Sequence, residues 1–355
     1  MGQSGIEYVD KGWSVMTGCS KISDGCENCY AEKMLRRFTD LSGEDEHPFK
    51  VKKHPPKLTE PERWTKGYKV AVCPLGDLFH DKISHDFRIE VFNVMLNFPA
   101  HRYLVLTKRP RRMQEFVKIA EENSGKKFWE LFPHVGLGVT VENADNMWRL
   151  NVLDNIAHTF KWVSFEPYIE PFIKWPEDNA YVPIIQRLQW AVVGCETGGG
   201  ARRTDKAVTD TLVQDLKRLR IPVFYKKHWV DGKAVLSEGP HDIPNELVPS
   251  STYQQDRDAE IISIANSIEK LLGRDGRNYH FISTLRKRYR PEIIKIVAQM
   301  LAGNKTLETL DYLKKQIYIM GAIRREALSH PSSGIYLRRT VCKDRPYAKL
   351  EEIKS

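Results

Sequence analysis

The chain has no run of eighteen apolar residues, so nothing in it reads as a membrane-spanning helix. Met1-Gly2-Gln3-Ser4-Gly5 has neither the basic nor the apolar region of a signal peptide. Gly2 opens no myristoylation motif, because Ile6 stands where Ser or Thr is needed. A cytoplasmic protein with no membrane partner is expected, its thiols reduced. Cysteine is scarce, six in 355 residues, which excludes a disulfide-dense scaffold. No Lys-Ser or Lys-Thr pair follows a glycine-rich loop in P-loop register. No internal repeat or long low-complexity tract is visible.

The few cysteines are concentrated. Cys19, Cys26 and Cys29 lie within eleven residues, spaced C-x6-C-x2-C, in a turn-rich loop before a helical stretch. Three nearby thiolates can grip one metal centre. A structural zinc takes four protein ligands, and most iron–sulfur clusters take four cysteines. Three leave a coordination position open, where a catalytic metal meets its substrate or cofactor. The residues alone leave three readings. One is a cubane iron–sulfur cluster with one iron free. Another is zinc completed by a distant His54, Cys73 or His80, although the paired C-x2-C or H-x3-H element usual in zinc sites is missing. The third is three unligated thiols, a poor match for this density of cysteine.

Charge is uneven. The net charge is +9, from 55 basic and 46 acidic residues. Residues 251–355 hold 20 basic and 12 acidic residues, which leaves 35 and 34 in the first 250. The basicity belongs to the C-terminal third. A polyanion, most simply nucleic acid, is the partner this pattern fits, and a solvated helical face is the plainer explanation.

Short, Val-rich, mostly continuous apolar runs recur at Trp13–Met16, Val70–Cys73, Tyr103–Leu106, Val135–Val141, Trp162–Phe165, Trp190–Gly194 and Val223–Tyr225. Strands buried on both faces have this composition. Helical periodicity separates them: Phe87, Val91, Val94, Met95 and Phe98; Met113, Phe116, Val117 and Ala120 after Pro110; Val208, Leu212, Leu216 and Leu219. Another helix starts near Asn143. Alternating strands and helices predict an α/β fold, a partial or complete (β/α) barrel of parallel strands, over residues 1–230. Gly232, Pro240, Pro244 and Pro249 mark a linker over 231–250, and a basic helical appendage follows over 251–355.

In such a barrel the active site lies at the C-terminal strand ends. Those ends carry Thr17 and the cysteine loop, Asp77, Thr107 with Lys108, Thr140 with Glu142, Ser164 with Glu166, Cys195 with Glu196 and Thr197, and Lys226 with Lys227. Exposure makes any one strand end polar, but seven in succession point to one shared polar site. Gly198-Gly199-Gly200 adds a turn that brings backbone N–H groups close to an anion, or serves as a hinge.

These segments resemble a phage- and prophage-borne family known for its three-cysteine motif. The resemblance rests on Trp13, Thr17-Gly18-Cys19, Cys26-x-x-Cys29-Tyr30-Ala31-Glu32, Gly76-Asp77-Leu78-Phe79-His80 and Leu106-Thr107-Lys108-Arg109-Pro110. It continues through Gly138-Val139-Thr140-Val141-Glu142, Ser164-Phe165-Glu166-Pro167, Val193-Gly194-Cys195-Glu196-Thr197-Gly198, Gly200-Ala201-Arg202 and Phe224-Tyr225-Lys226-Lys227. Cys195 stands where the family has a second glycine. More distantly, the order of motifs is similar to radical S-adenosylmethionine enzymes of the spore photoproduct lyase type, with six residues here between the first two cysteines rather than three.

The resemblance implies a [4Fe–4S] cluster on Cys19, Cys26 and Cys29, S-adenosylmethionine on the open iron, and an external electron donor. It places Tyr30, Asp77, Thr107, Ser164 and Thr197 at the cofactor. Lys108, Glu142, Glu166 and Glu196 become catalytic candidates. The expected function is a radical S-adenosylmethionine-type enzyme acting on a nucleic acid or nucleotide in a phage or prophage context. The basic run Arg286, Lys287, Arg288, Tyr289 and Arg290 would hold the polyanion, its tyrosine stacking on a base. The alternative is a zinc-stabilised nucleic-acid-binding protein without catalysis.

Overall fold

Alternate side chains of the central strands enter two different cores, and this decides where a site can form. The computed structural model describes residues 5–39, 49–171 and 180–248. All belong to the first of the two units into which the chain divides, Met1–Ser251 and Thr252–Ser355. The expected helical appendage and its basic run, Arg286 to Arg290, lie outside the described residues.

In chain order the elements are β1 (Lys11–Trp13), β2 (Met16–Thr17), α1 (Tyr30–Thr39), β3 (Lys52–Lys53), β4 (Lys69–Val72), α2 (His85–Asn97) and β5 (Arg102–Thr107). They continue with α3 (Pro110–Ser124), α4 (Phe128–Leu131), β6 (Val135–Thr140), α5 (Trp148–Asp154), β7 (Lys161–Phe165) and α6 (Val182–Ile185). The last are β8 (Trp190–Gly194), α7 (Lys206–Arg218), β9 (Val223–Val230) and β10 (Lys233–Leu236). One eight-stranded sheet runs β1-β4-β5-β6-β7-β8-β9-β10, parallel except for β10 against β9. Successive strands are neighbours, as in a barrel. The first and last strands remain edges, so the sheet curls into a half-barrel and does not close.

Outward residues such as Val72, Val105, Val139, Val163 and Val193 pack against Phe87, Met95, Phe116, Leu150 and Leu216 of the helices. Inward residues Ala71, Leu104, Trp162, Trp190 and Phe224 form a second core with Tyr8 and Leu247. Each buried tryptophan removes about 200 Å² from water, roughly 5 kcal/mol of gross transfer free energy. The indole of Trp162 fits only because β6 offers Gly138 opposite, where any Cβ would run into the ring. Helix starts follow the expected chemistry. Ser84 accepts from the Phe87 N–H at 3.4 Å, Pro110 opens α3, and Asp205 accepts from the Ala207 N–H at 2.9 Å.

Two expectations differ from the structure. The run Trp13–Met16 is not one strand. Trp13 ends β1, and Met16 pairs with Lys53 in a separate two-stranded sheet of β2 and β3. Residues 231–248, read as a linker, stay on the sheet. Asp231 and Gly232, both at positive φ (46° and 74°), turn the chain so that Lys233 pairs with Val230. Asp-Gly between two apolar runs is the signal for that hairpin. Leu247 then buries itself in the inner core.

Candidate functional site

The apolar floor of the half-barrel gives way to polar side chains at the C-terminal strand ends. There lies a cavity of about 350 Å³, within the size range of small-ligand sites. Cys19, Cys26, Cys29, Tyr30, Asp77, Thr107, Lys108, Ser164, Glu166, Glu196 and Thr197 all line it. Glu142 stands just behind, fully buried.

The thiol loop is built by close approaches. Gly18, at φ +83°, opens it, and a Cβ there would meet the Lys50 carbonyl, so only glycine fits. The Cys19 N–H donates to the Phe49 carbonyl at 3.2 Å, and the Cys26 N–H to the Ser23 carbonyl at 2.8 Å. Gly25 lies against the side chains of Glu142 and Lys108, where a Cβ would come within 3 Å of both. Helix α1 starts at Tyr30, directly after Cys29, and the Tyr30 hydroxyl donates to the Pro74 carbonyl at 2.5 Å.

Two cations face the sulfurs. Arg109 Nη1 lies 3.4 Å from Cys19 Sγ, and Lys108 Nζ lies 3.5 Å from Cys26 Sγ. Each is held from behind by a carboxylate. Asp77 accepts from the Thr107 hydroxyl (2.7 Å), the Phe79 N–H (2.9 Å), the Lys108 N–H (3.2 Å) and Arg109 Nη1 (3.0 Å). Glu142 pairs with Lys108 at 3.1 Å and Arg149 at 2.7 Å, and accepts from the Ser23 hydroxyl. At Cys26 burial opposes the thiolate, but Lys108 and the bonds from the Ile22 and Ser23 region outweigh it and lower the pKa. At Cys19 burial and the Asp77 charge prevail over Arg109, and the pKa is raised.

A clamp closes over the loop from the opposite side. Glu196 accepts from Arg202 at its N–H (2.7 Å), Nε (3.0 Å) and Nη2 (2.6 Å), and from Asn28 Nδ2 at 3.0 Å. The same guanidinium reaches the Asp24 carbonyl at 2.8 Å and Glu27 at 3.1 Å. Glu196 and Arg202 thus tie the turn after β8 to the loop between Cys19 and Cys29.

On the far wall, Glu166 Oε1 pairs with Lys226 Nζ at 2.9 Å and Oε2 accepts from the Ser164 hydroxyl at 3.4 Å. Burial alone would lower the Lys226 pKa, but Glu166, with Tyr8 and Glu7, keeps the ammonium charged and raises it. Cys195 lies beside this pair, its thiol pushed up to about 11, chiefly by burial.

The structure therefore brings the predicted strand-end residues together at one cavity. Asp77, Thr107, Glu142 and Glu196 bond to neighbouring side chains and backbone N–H groups and position the loop and its cations. Ser164, Glu166, Tyr30 and Thr197 face the cavity with Lys108. Of the distant zinc candidates, Cys73 lines the cavity, whereas His54 bonds the Thr17 hydroxyl (2.8 Å) and His80 the Ser20 hydroxyl (2.9 Å). Sequence reasoning missed Arg109, Arg202, Glu7 and Tyr8. The two arginines stand inside quoted motifs, next to Lys108 and after Gly200-Ala201. Nothing in the sequence marks Glu7 or Tyr8.

The donor chemistry suits a thiolate-bound metal centre: three soft ligands on one cavity, with cationic donors on two of them. Among the described residues no three His, Cys, Asp or Glu side chains converge as a single-ion site.

Fold and site together define a mostly parallel α/β half-barrel with a thiol-rimmed cavity at its strand ends. A family model described as protein of unknown function (DUF5131) matches residues 3–280, and the chain belongs to that family. No curated protein and no solved structure matches it. No helix among the described residues is long and apolar enough to cross a membrane.

Proposed function

We propose that this chain is a radical S-adenosylmethionine-type iron–sulfur enzyme. Cys19, Cys26 and Cys29 would hold three irons of a [4Fe–4S] cluster, S-adenosylmethionine would complete the fourth, and an external donor would supply the electron. The observation that carries the reading is the meeting of all three thiols, with Arg109 and Lys108 on two sulfurs, in one cavity at the strand ends. Once bound, this cofactor pair supplies one-electron chemistry able to take hydrogen from an unactivated carbon.

The chain's own residues do the rest. Arg109 and Lys108 offset thiolate charge and donate to sulfur, one way a protein sets the potential of such a centre. Asp77 and Glu142 fix those two cations. Trp162, Leu104 and Ala71 keep water from the floor. Glu166 and Lys226 offer a fixed acceptor and donor to a ligand's polar groups. The substrate would be a nucleic acid or nucleotide, with Arg286, Lys287, Arg288 and Arg290 of the basic C-terminal third contacting phosphate and Tyr289 stacking on a base. The phage or prophage setting and the cytoplasmic location belong to the same proposal.

The test is reductive cleavage. Protein reconstituted anaerobically with iron and sulfide, then reduced with dithionite, should release 5′-deoxyadenosine from S-adenosylmethionine, and the Cys29→Ala chain should release none. A fully loaded cluster that leaves S-adenosylmethionine intact contradicts the reading. A colourless, zinc-loaded protein whose nucleic-acid affinity survives Glu166→Ala supports the zinc-stabilised binder instead.

A further inference from the structure

A bulge breaks the alternation of β9. Tyr225 pairs with Val193 and Lys227 with Gly194, so Lys226 is an extra residue. A regular strand sends consecutive side chains to opposite faces. The bulge re-aims them, and both Lys226 and Lys227 line the cavity. Their ammonium groups share one carboxylate. Glu7 Oε1 lies 2.9 Å from Lys227 Nζ, and its Oε2 lies 3.7 Å from Lys226 Nζ. Glu7 comes from the segment preceding β1, not from a strand or helix of the half-barrel.

We propose that Lys226 and Lys227 form an oxyanion subsite for the phosphate of a nucleotide substrate, and that the Glu7 carboxylate fills this subsite until phosphate displaces it. A carboxylate that spans two ammonium groups with its two oxygens stands in for two phosphate oxygens, and lysine binds phosphate as a point charge. With Glu7 in place, Lys226, Lys227, Glu166 and Glu7 sum to zero charge. With Glu7 withdrawn, one positive charge is left over for an anion. The Tyr8 ring, 5.9 Å from Lys226 Nζ, provides a flat apolar wall beside it. The proposal deepens the substrate side of the reading above and is independent of what the thiols hold.

The experiment is calorimetry on the full chain without added iron, with inorganic phosphate, a nucleoside 5′-monophosphate and the matching nucleoside as probes. Glu7→Gln should bind the monophosphate about tenfold more tightly than wild type, because the internal competitor is gone. Lys227→Met should bind it about tenfold more weakly. The double variant Lys226→Met with Glu166→Gln, which leaves no unpaired carboxylate, should lose affinity in the same way. Inorganic phosphate should follow the same order, and the nucleoside should bind much more weakly throughout. A purely structural Glu7 would make Glu7→Gln bind no better. Equal affinity in wild type, Glu7→Gln and Lys227→Met overturns the proposal, as does a nucleoside that binds as tightly as its monophosphate. Tighter Glu7→Gln binding in a chain that takes up no cluster on reconstitution and cleaves no S-adenosylmethionine would sink the cluster and keep this subsite. A cleavage-active chain whose variants bind alike would do the reverse.

Discussion

Arg109 holds Asp77 and Cys19 with the same nitrogen: Nη1 lies 3.0 Å from Oδ2 of the carboxylate and 3.4 Å from the sulfur. Both charged groups are buried, so the pair cannot be opened from one side without leaving an uncompensated charge. Asp77→Asn keeps the shape and removes the charge. It should cost roughly 3–5 kcal/mol in denaturant unfolding, the usual penalty for half of a buried ion pair. It should also lower the Cys19 pKa, since Asp77 helps to raise it. Alkylation of Cys19 at mildly alkaline pH should therefore quicken in the folded variant, and a slower reaction would contradict the assignment.

Arg202 joins Glu196 to the thiol loop through charge-assisted bonds, each worth about 1.5–3 kcal/mol. Its side chain is about a third exposed, which places the effect at the low end of that range. In Arg202→Met the loop should open more often, and alkylation of Cys26 and Cys29 should accelerate about tenfold. Arg202→Lys should recover only part of this, because an ammonium cannot donate from Nε and Nη2 to one carboxylate. Unchanged alkylation rates would show that the clamp is decorative.

Gly138→Ala adds one methyl group against the indole of Trp162. Overpacking of this kind costs about 1–3 kcal/mol. Because Trp162 also lines the cavity, the variant should lose ligand affinity along with stability. Thermal unfolding and calorimetry read the two effects separately.

The stability of this fold should fall on mild acidification. His158 donates its Nε2–H to the Val135 carbonyl at 2.5 Å and leaves Nδ1 buried without a partner. Burial lowers its pKa, the Val135 bond opposes the change, and Lys161 adds to it. The folded chain thus takes up this proton less readily than the unfolded chain. The stabilisation is complete above the unfolded value of 6.5 and is lost as pH falls through 6.5 towards the lower folded value. His54, His80 and His228 shift in the same direction, each chiefly through burial. Each tenfold difference in proton affinity is worth about 1.4 kcal/mol. The urea midpoint should therefore drop between about pH 7.5 and pH 5.5, and His158→Gln should flatten that slope.

Much of the half-barrel is legible in the sequence because strands buried on both faces are continuous apolar runs. Six of the seven predicted runs lie in strands of the main sheet in their expected places, and the stripe of Phe87, Val91 and Met95 is buried as its spacing requires. The break after Trp13 is hidden because Val15 and Met16 are as apolar as a strand and equally buried, though Val15 lies in a bend and Met16 belongs to a different sheet. β10 escapes because Gly232, followed by Pro240, Pro244 and Pro249, has the composition of a linker, and only Asp231 beside it signals the tight turn. Among site residues, proximity is legible from the strand ends, whereas the partner of each side chain is not. Whether a carboxylate faces a ligand or a neighbour depends on contacts between distant segments, such as Asn28 with Glu196. Both lysines reach the cavity only because of a bulge that no alternation rule foretells.

The central claim concerns three sulfurs. Protein purified strictly without oxygen should hold about four irons and four sulfides per chain, with the broad visible absorption of iron–thiolate bonding. Both should vanish when Cys19, Cys26 and Cys29 are replaced together by alanine. Stoichiometric zinc in place of iron, or three thiols titrating as free in the native chain, would contradict the account.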